Sequence, residues 1–487
     1  IAKAQSLSVW HHFDERSAAF FALGIAKKEK QPVAVVTTSG TAAAELLPAV
    51  IEAHYSGIPL VCVTADRPVR YRGTGAPQSI EQTRLFEPYA NRSLDIANPS
   101  KLGEMVGWDR KGPLHLNVSL EEPSPEDRIE GVAPISFPSS ENSHLPNFAD
   151  DLAATLRDSQ SLMVLLGELE ASWQEPVASF LSGLGAPVWS EATSGLRESP
   201  ALEGIRLKSE RAVARMEPEV VLRIGGVPSL RFWRDLEARE DILVLSVSRL
   251  PFSGLARPSQ LFVTDLFPAP VPTGGEGLRA GKGLKSEIPE PTGPGSELLL
   301  SRHERSEPGA LRAISTWIPE DALVYLGNSL PIREWNLAAS FQTRHSRCFA
   351  SRGANGIDGQ VATWLGLSAG EEESWAIVGD LTALYDLNAP ALLPQIMGGR
   401  RRLVVLNNGG GRIFSRLPSL ASLSSEEKKV TENRHEWNLK PLAKLWEMEY
   451  RSWHPGGAVP DLEGDAILIE VVIDQDASEA FWKDWSR

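Results

Sequence analysis

The chain is short of the features that define several large protein classes. It has two cysteines, Cys62 and Cys348, in 487 residues, so no disulfide framework can be built. Both lie in apolar, strand-like runs, which reads as buried, reduced thiols in a reducing compartment. No apolar run approaches the length of a membrane span. Positive charge is in deficit: Lys and Arg number 49 against 63 Asp and Glu, a net charge of −14. That balance argues against a nucleic-acid backbone or an anionic membrane as the main partner, while leaving room for a local basic pocket that takes a small anion. Low-complexity tracts and short solenoid periods are missing too. What remains is an ordinary globular composition, 42% hydrophobic and 23% charged. At roughly 150 residues per domain, the length suggests about three domains.

The pattern along the chain alternates strand and helix. Leu7 to Phe13 reads as β-like, Arg16 to Lys27 as a helix, Pro32 to Thr37 as a buried strand, Ala42 to Tyr55 as a helix and Leu60 to Thr64 as a strand. Continuous Val/Ile-rich strands between helices imply parallel sheets covered on both faces. Further strands are expected at Leu114 to Val118, Leu162 to Leu166, Val188 to Trp189, Val220 to Ile224 and Ile242 to Val247. The last group is Leu323 to Leu326, Trp375 to Val378, Arg402 to Leu406 and Ile467 to Ile473. Pro-rich stretches at Pro123 to Pro146 and Pro268 to Pro294 read as linkers. The expected organisation is therefore three successive doubly wound α/β domains, at 1–125, 147–267 and 295–487. Lys101 to Arg110 and Gly456 to Asp465 leave little room for crossover helices. Because the chain opens at Ile1 within a domain, part of the first domain is expected upstream. The expected location is the cytoplasm, with an organellar targeting peptide left open.

The strongest chemical signal lies near the end. A strand closes in Gly379-Asp380, and another closes in Asn407-Asn408-Gly409-Gly410-Gly411, with Asn408 28 residues beyond Asp380. Carboxyl ends of parallel strands are where open α/β sheets bind ligands. A carboxylate, a carboxamide oxygen and a bare glycine carbonyl are hard oxygen ligands suited to Mg²⁺, and Gly-rich turns add N–H donors for a diphosphate. Each motif alone is an ordinary βα turn; the pair at this spacing is far more specific. A second signal is Glu15, in His11-His12-Phe13-Asp14-Glu15-Arg16, just before a helix. Ile224-Gly225-Gly226-Val227-Pro228 is a weak nucleotide loop and reads better as a structural turn.

The paired motif resembles that of thiamine diphosphate enzymes, with Leu381 in place of the usual third glycine. The resemblance narrows at Arg352-Gly353-Ala354-Asn355-Gly356-Ile357-Asp358-Gly359, at Gly379-Asp380-Leu381-Thr382-Ala383-Leu384-Tyr385-Asp386-Leu387-Asn388 and at Asn408-Gly409-Gly410-Gly411-Arg412-Ile413-Phe414. With His12 to Arg16, Thr38 to Thr41, Thr64 to Pro68 and Gly327-Asn328-Ser329, these segments are similar to the MenD family, the 2-succinyl-5-enolpyruvyl-6-hydroxy-3-cyclohexene-1-carboxylate (SEPHCHC) synthases. The similarity covers nearly the whole chain and is weakest in the middle.

That resemblance implies decarboxylation of 2-oxoglutarate on thiamine diphosphate and addition of the four-carbon carbanion to isochorismate, in menaquinone or phylloquinone synthesis. It implies Mg²⁺, with Mn²⁺ as a substitute, held by Asp380, Asn408 and Gly410. Glu15 would bond the aminopyrimidine ring and favour the imino tautomer that takes the C2 proton. Thr38, Ser39, Gly40, Ile357, Gly379, Leu381, Asn408, Gly410 and Gly411 would line the cofactor. Arg67, Arg231, Arg333 and Arg352 would meet substrate carboxylates with bidentate geometry. Ser329 and Gln78 would stand near the reacting centre, with Ile413 and Phe414 as an apolar wall. A family SPGSRS-like loop is expected before Ile1. Pro390 and Pro394 should stop or kink the helix after Asp380 near Asn388. The resemblance also implies a homodimer or homotetramer in which Glu15 of one chain meets Asp380 of another. Two alternatives stay open: a different thiamine diphosphate decarboxylase or carboligase, and a non-catalytic scaffold of the same fold.

Overall fold

A computed structural model describes residues 7–122, 161–267 and 295–486 other than 417 and 421. The two expected linkers lie outside the described residues. Among the described residues three sheets form, and every strand pairing in them is parallel. The first runs β1 (Val33–Thr37), β2 (Leu60–Asp66), β4 (Leu114–Ser119) and β3 (Arg92–Ile96) in the order β1-β2-β4-β3. The second contains β5 (Leu162–Leu166), β6 (Val188–Ser190), β7 (Val220–Ile224), β8 (Leu243–Ser248) and β9 (Gln260–Val263), ordered β6-β5-β7-β8-β9. The third has six strands: β10 (Leu323–Leu326), β11 (Cys348–Phe349), β12 (Glu373–Gly379), β13 (Arg400–Asn407), β14 (Glu449–Trp453) and β15 (Ala466–Val472). Their order is β11-β10-β12-β13-β15-β14. The interior strands are the Val/Leu/Ile runs expected of sheets shielded from water on both faces; all five residues of β5 and of β7 are buried. No helix among the described residues is long and apolar enough to cross a membrane.

The described residues group into two compact units. One combines the first stretch of chain with Ser351–Gly370 and Thr382–Gly398; the other holds the second and third sheets. In the first unit the helix Glu15–Glu29 is capped by Asp14, whose carboxylate accepts from the Ser17 N–H and hydroxyl, both at 3.1 Å. Its face Ala19, Phe20, Leu23 and Ala26 is buried. This helix crosses the helix Gln360–Ser368 with backbone against backbone. A methyl built on Gly24 would fall onto the Thr363 carbonyl, and one on Gly366 onto the Phe21 carbonyl. The Asp386 carboxylate caps the second helix, accepting from the N–H groups of Gly359 (2.9 Å), Val361 (2.8 Å) and Ala362 (3.1 Å). In the second unit the Gly225-Gly226 turn packs on the loop that follows the neighbouring strand β5, with the Gly226 N–H on the Glu168 carbonyl at 2.9 Å.

Several expectations change. Leu7 to Phe13 forms no strand; Leu7, Val9 and Phe13 stand exposed, so the apolar alternation finds no sheet to join. The helix expected over Ala42 to Tyr55 is two, Thr41–Ala44 and Leu47–Ser56. Pro48, in the first turn of the second, has no N–H for the Ala44 carbonyl and forces the restart. Pro99–Gly107 is 3₁₀ rather than an α-helical crossover. The stop expected near Asn388 is present: the helix after β12 ends at Tyr385, and Ala389–Gln395, which contains Pro390 and Pro394, is 3₁₀. Both cysteines are, as expected, buried and unpaired, and burial pushes their thiols up.

Candidate active site

The second unit builds the end of the third sheet from local rules. β12 and β13 are in register with Gly379 beside Leu406, so Asp380 and Asn408 leave the sheet at the same edge. Asp380 is 2% exposed. One of its oxygens accepts the Leu381 N–H at 2.6 Å; the other accepts the Gly410 N–H at 3.0 Å and lies 3.3 Å from His435 Nε2. Burial raises its pKa, and the Gly410 N–H and His435 oppose that rise. The glycine loop is held by the segment around Glu432. The Gly411 N–H donates to the Glu432 carbonyl at 2.6 Å, and the His435 N–H to the Gly409 carbonyl at 3.2 Å. Gly410 has φ +130°, and a Cβ there would stand 2.5 Å from the Glu432 carbonyl, so no side chain fits.

Asn408 carries the clearest sign of a ligand site. Its backbone carbonyl accepts from Arg412 Nε at 2.9 Å and from Gln475 Nε2 at 2.6 Å. Its side-chain Nδ2 lies 3.1 Å from each Glu307 carboxylate oxygen. Its Oδ1 is buried without a hydrogen-bond partner among the described residues. A buried orphan oxygen costs free energy comparable to a lost hydrogen bond, and a cation relieves it. Beside it stands Asp380, also buried. The donor set therefore fits Mg²⁺.

Sequence reasoning missed the groups behind this edge. Glu307 opens the helix Glu307–Ser315, and Glu334 lies within Leu330–Ala338; they are 2% and 1% exposed. Arg416 Nη1 meets Glu334 at 2.6 Å, its Nη2 is 3.9 Å from Glu307, and its guanidinium lies over the Trp482 ring at 4.2 Å. Burial and then the neighbouring Glu334 push Glu307 up, with Arg416 and the Asn408 amide opposing. The charged pair Arg333-Glu334 between the apolar residues Leu330-Pro331-Ile332 and Trp335 was the one available signal for Glu334.

Ser329 and Arg333 share one turn. Ser329 has φ +72° at the start of Leu330–Ala338, and Arg333 Nη1 donates to its carbonyl at 2.5 Å. Arg333 also faces Glu210, which burial and Glu191 push up to about 7 while Arg333 pulls it down. Arg231 is exposed on the helix Arg231–Asp235, 3.5 Å from Asp235. Ile413 is half-buried and Phe414 exposed in the 3₁₀ turn Arg412–Arg416. Gly379, Leu381 and Gly411 flank Asp380 and Gly410 on the same strand ends.

In the first unit, Glu15 is half-exposed as the first residue of its helix. Its neighbours bond to the end of the Gly379–Asn388 run of the same chain. Asn388 Nδ2 donates to Asp14 Oδ2 at 2.9 Å, His12 Nε2 lies 2.9 Å from the Asn388 carbonyl, and Arg16 is 3.7 Å from Asp386. The Arg352–Gly359 loop is anchored by Glu52, which accepts the N–H groups of Gly353 (2.8 Å) and Ala354 (2.7 Å). Arg352 and Ile357 on that loop are half-buried. Gly40, at φ +86°, donates its N–H to Gln82 Oε1 at 2.7 Å and packs on Gln78, itself at φ +58°. Ser39 is buried and Thr38 exposed. Arg67 pairs with Glu122 at 2.9 Å and lies over Tyr71.

Residues 1–85 match the family model described as thiamine pyrophosphate enzyme, N-terminal TPP binding domain. The chain is 43% identical to the 2-succinyl-5-enolpyruvyl-6-hydroxy-3-cyclohexene-1-carboxylate synthase of Akkermansia muciniphila, over 98% of this chain and 91% of that one. Against the synthase of the same name from Bdellovibrio bacteriovorus it is 38% identical, over 99% and 92%. A solved candidate thiamin diphosphate-dependent enzyme from Mycobacterium smegmatis shares the fold, with TM-score 0.67 and 17% identity over 96% of this chain and 92% of that one. With relatives this similar along almost its full length, the chain belongs to the 2-succinyl-5-enolpyruvyl-6-hydroxy-3-cyclohexene-1-carboxylate synthase family of thiamine diphosphate-dependent enzymes.

Proposed function

We propose that this enzyme decarboxylates 2-oxoglutarate and adds the resulting succinyl group to isochorismate, releasing CO₂ and giving SEPHCHC on the way to menaquinone or phylloquinone. The observation that carries the reading is the Asp380–Asn408 strand-end pair with its unpartnered Asn408 Oδ1, in a chain so close to synthases of that name. Thiamine diphosphate supplies the electron sink for the decarboxylation when bound. Asp380, Asn408 and the Gly410 carbonyl hold Mg²⁺ or Mn²⁺ against the diphosphate. Gly379, Leu381 and Gly411 leave room for it, while Thr38, Ser39, Gly40 and Ile357 take the rest of the cofactor. Glu15 holds a proton at the aminopyrimidine ring. Arg67, Arg231, Arg333 and Arg352 bind the substrate carboxylates. Ser329 and Gln78 orient the reacting atoms, and Ile413 and Phe414 exclude water from them. Incubating the full-length chain with 2-oxoglutarate, isochorismate, thiamine diphosphate and Mg²⁺ tests the reading: SEPHCHC and CO₂ in equal amounts support it. Turnover of 2-oxoglutarate with an aldehyde acceptor but not with isochorismate would overturn it.

The working assembly in this reading is a homodimer, or two such dimers, with Glu15 of one chain serving Asp380 of the other. The contacts of Asp14, His12 and Arg16 with Asp386 and Asn388 would then be exchanged between chains. Mixing inactive Glu15→Gln and Asp380→Asn chains tests it. Shared sites regain activity, with one intact site per heterodimer. Sites built within one chain stay dead after proven subunit exchange.

A further inference from the structure

We infer that Glu307 is the positioning residue of the cation site: it grips the Asn408 carboxamide by its NH₂ end and so leaves Oδ1 as the ligand. The inference rests on the proposal that Asp380, Asn408 and Gly410 hold the metal. The two ends of a carboxamide are nearly equal in shape, so only hydrogen bonding decides which faces the cation. Arg416 and the helix N-terminus favour the carboxylate form of Glu307 against its burial, and a carboxylate accepts and does not donate. With both Glu307 oxygens 3.1 Å from Nδ2, the NH₂ end is claimed and Oδ1 is turned to the unpartnered side. Asn408 is 6% exposed and Glu307 2%, so water competes little for either end.

The grip is itself braced. Ser306 caps the helix that begins with Glu307, and the Glu307 N–H donates to Ser478 Oγ at 3.0 Å. A carboxylate in a first helical turn is favoured by the helix dipole. Arg416, held by Glu334 and the Trp482 ring, supplies a positive charge 3.9 Å from Glu307. The arrangement also accounts for asparagine rather than aspartate at 408. A carboxylate there would meet the Glu307 carboxylate at hydrogen-bond distance with no proton donor between them. In Glu307→Gln the new amide can donate to Asn408 Oδ1, which sets a neutral donor in competition with the cation.

Isothermal titration of the full-length chain with Mg²⁺ at fixed thiamine diphosphate, and Mn²⁺ binding by electron paramagnetic resonance, read the effect without turnover. Glu307→Gln should weaken the metal by about 10–100-fold, as for other groups that orient a metal ligand. Asn408→Asp should weaken it too, although aspartate is the better ligand in isolation. The double variant Glu307→Gln/Asn408→Asp should bind more tightly than either single one, because the glutamine amide then donates to the new carboxylate; a residue that merely supports the fold gives no such rescue. Wild-type affinity in Glu307→Gln, or undiminished affinity in Asn408→Asp, overturns the inference. So does a double variant no better than Asn408→Asp, the comparison that decides if Glu307→Gln alone does not fold. A wild-type chain that binds the cofactor with no metal dependence overturns the metal site itself, and with it this role for Glu307.

Discussion

Gly24→Ala should destabilise the chain although alanine is the better helix former. Gly24 is buried in the middle of Glu15–Glu29. On propensity alone the change gains about 1 kcal/mol. Here, however, the new methyl lands on the Thr363 carbonyl oxygen and 3.0 Å from the Leu367 nitrogen, both backbone atoms of the crossing helix. A carbon and a carbonyl oxygen normally sit about 3.3–3.6 Å apart, so the two helices must part by about 1 Å. Forced separation in a packed interior typically costs about 1–3 kcal/mol and sometimes more, and the overlap with main chain puts this case at the upper end. The net expectation is a loss of about 2 kcal/mol after the propensity gain. Urea unfolding should show it as a midpoint lowered by about 1 M, with the slope unchanged. Because the same helix begins with Glu15, kcat should fall as well. Gly366→Ala, which meets the Phe21 carbonyl from the other side, should behave alike. A midpoint at or above that of the wild type in both variants would refute the tight crossing.

Asp380→Ala should abolish Mg²⁺-dependent binding of thiamine diphosphate, measured by calorimetry, since the diphosphate charge loses its compensation. Glu15→Gln should bind the cofactor yet slow exchange of its C2 proton by orders of magnitude, as followed by quenched-flow NMR; a wild-type exchange rate would remove Glu15 from that step. Arg333→Ala and Arg352→Ala should each cost about 2–5 kcal/mol in the use of a dicarboxylate, with cofactor affinity retained. His115 carries a pH prediction: burial pushes it down to about 4, and Thr64 Oγ1 is 2.9 Å from its Nε2. The unfolded chain therefore binds a proton below about 6.5 that the folded chain refuses until about 4. Stability should fall by up to about 3 kcal/mol as the pH drops through that window, and His115→Gln should flatten the urea-midpoint profile there.

What was legible in the sequence follows from local rules. The interior strands carry short apolar runs, Leu162–Leu166 in β5, Val220–Leu222 in β7, Trp375–Val378 in β12 and Leu403–Leu406 in β13, and the middle of a buried parallel sheet accepts little else. The Asp380 and Asn408 edges were legible for the same reason, since two strand ends at a fixed spacing in one parallel sheet must open on the same side. Strand β14, Glu449-Tyr450-Arg451-Ser452-Trp453, escaped notice because it lies at the sheet edge and is half polar: Tyr450 donates to Glu470 at 2.6 Å and Arg451 Nε to the Asp461 carbonyl at 3.0 Å. Leu7 to Phe13 failed in the opposite sense, with an alternating pattern and no partner strand. Pattern states what a segment could pair with; pairing itself is a long-range event.

The groups that escaped the sequence at the site share one property: each is defined by a partner far along the chain. Glu307 matters because Asn408 lies against it, 101 residues later, and Glu334 because Arg416 does, 82 residues later. Gly24 matters because Thr363 leaves no space for a side chain. None of these pairs has a local signature, since a glutamate in a first helical turn and a glycine in a helix each have common local explanations. The physical cost reveals them instead. A buried carboxylate pair with one arginine costs several kcal/mol of desolvation that its own ion pairing returns only in part. A core of well-packed apolar residues would serve stability as well or better. That this chain keeps Glu307, Glu334 and Arg416 directly behind Asn408 is therefore best accounted for by what they do to that carboxamide, and not by what they add to the fold.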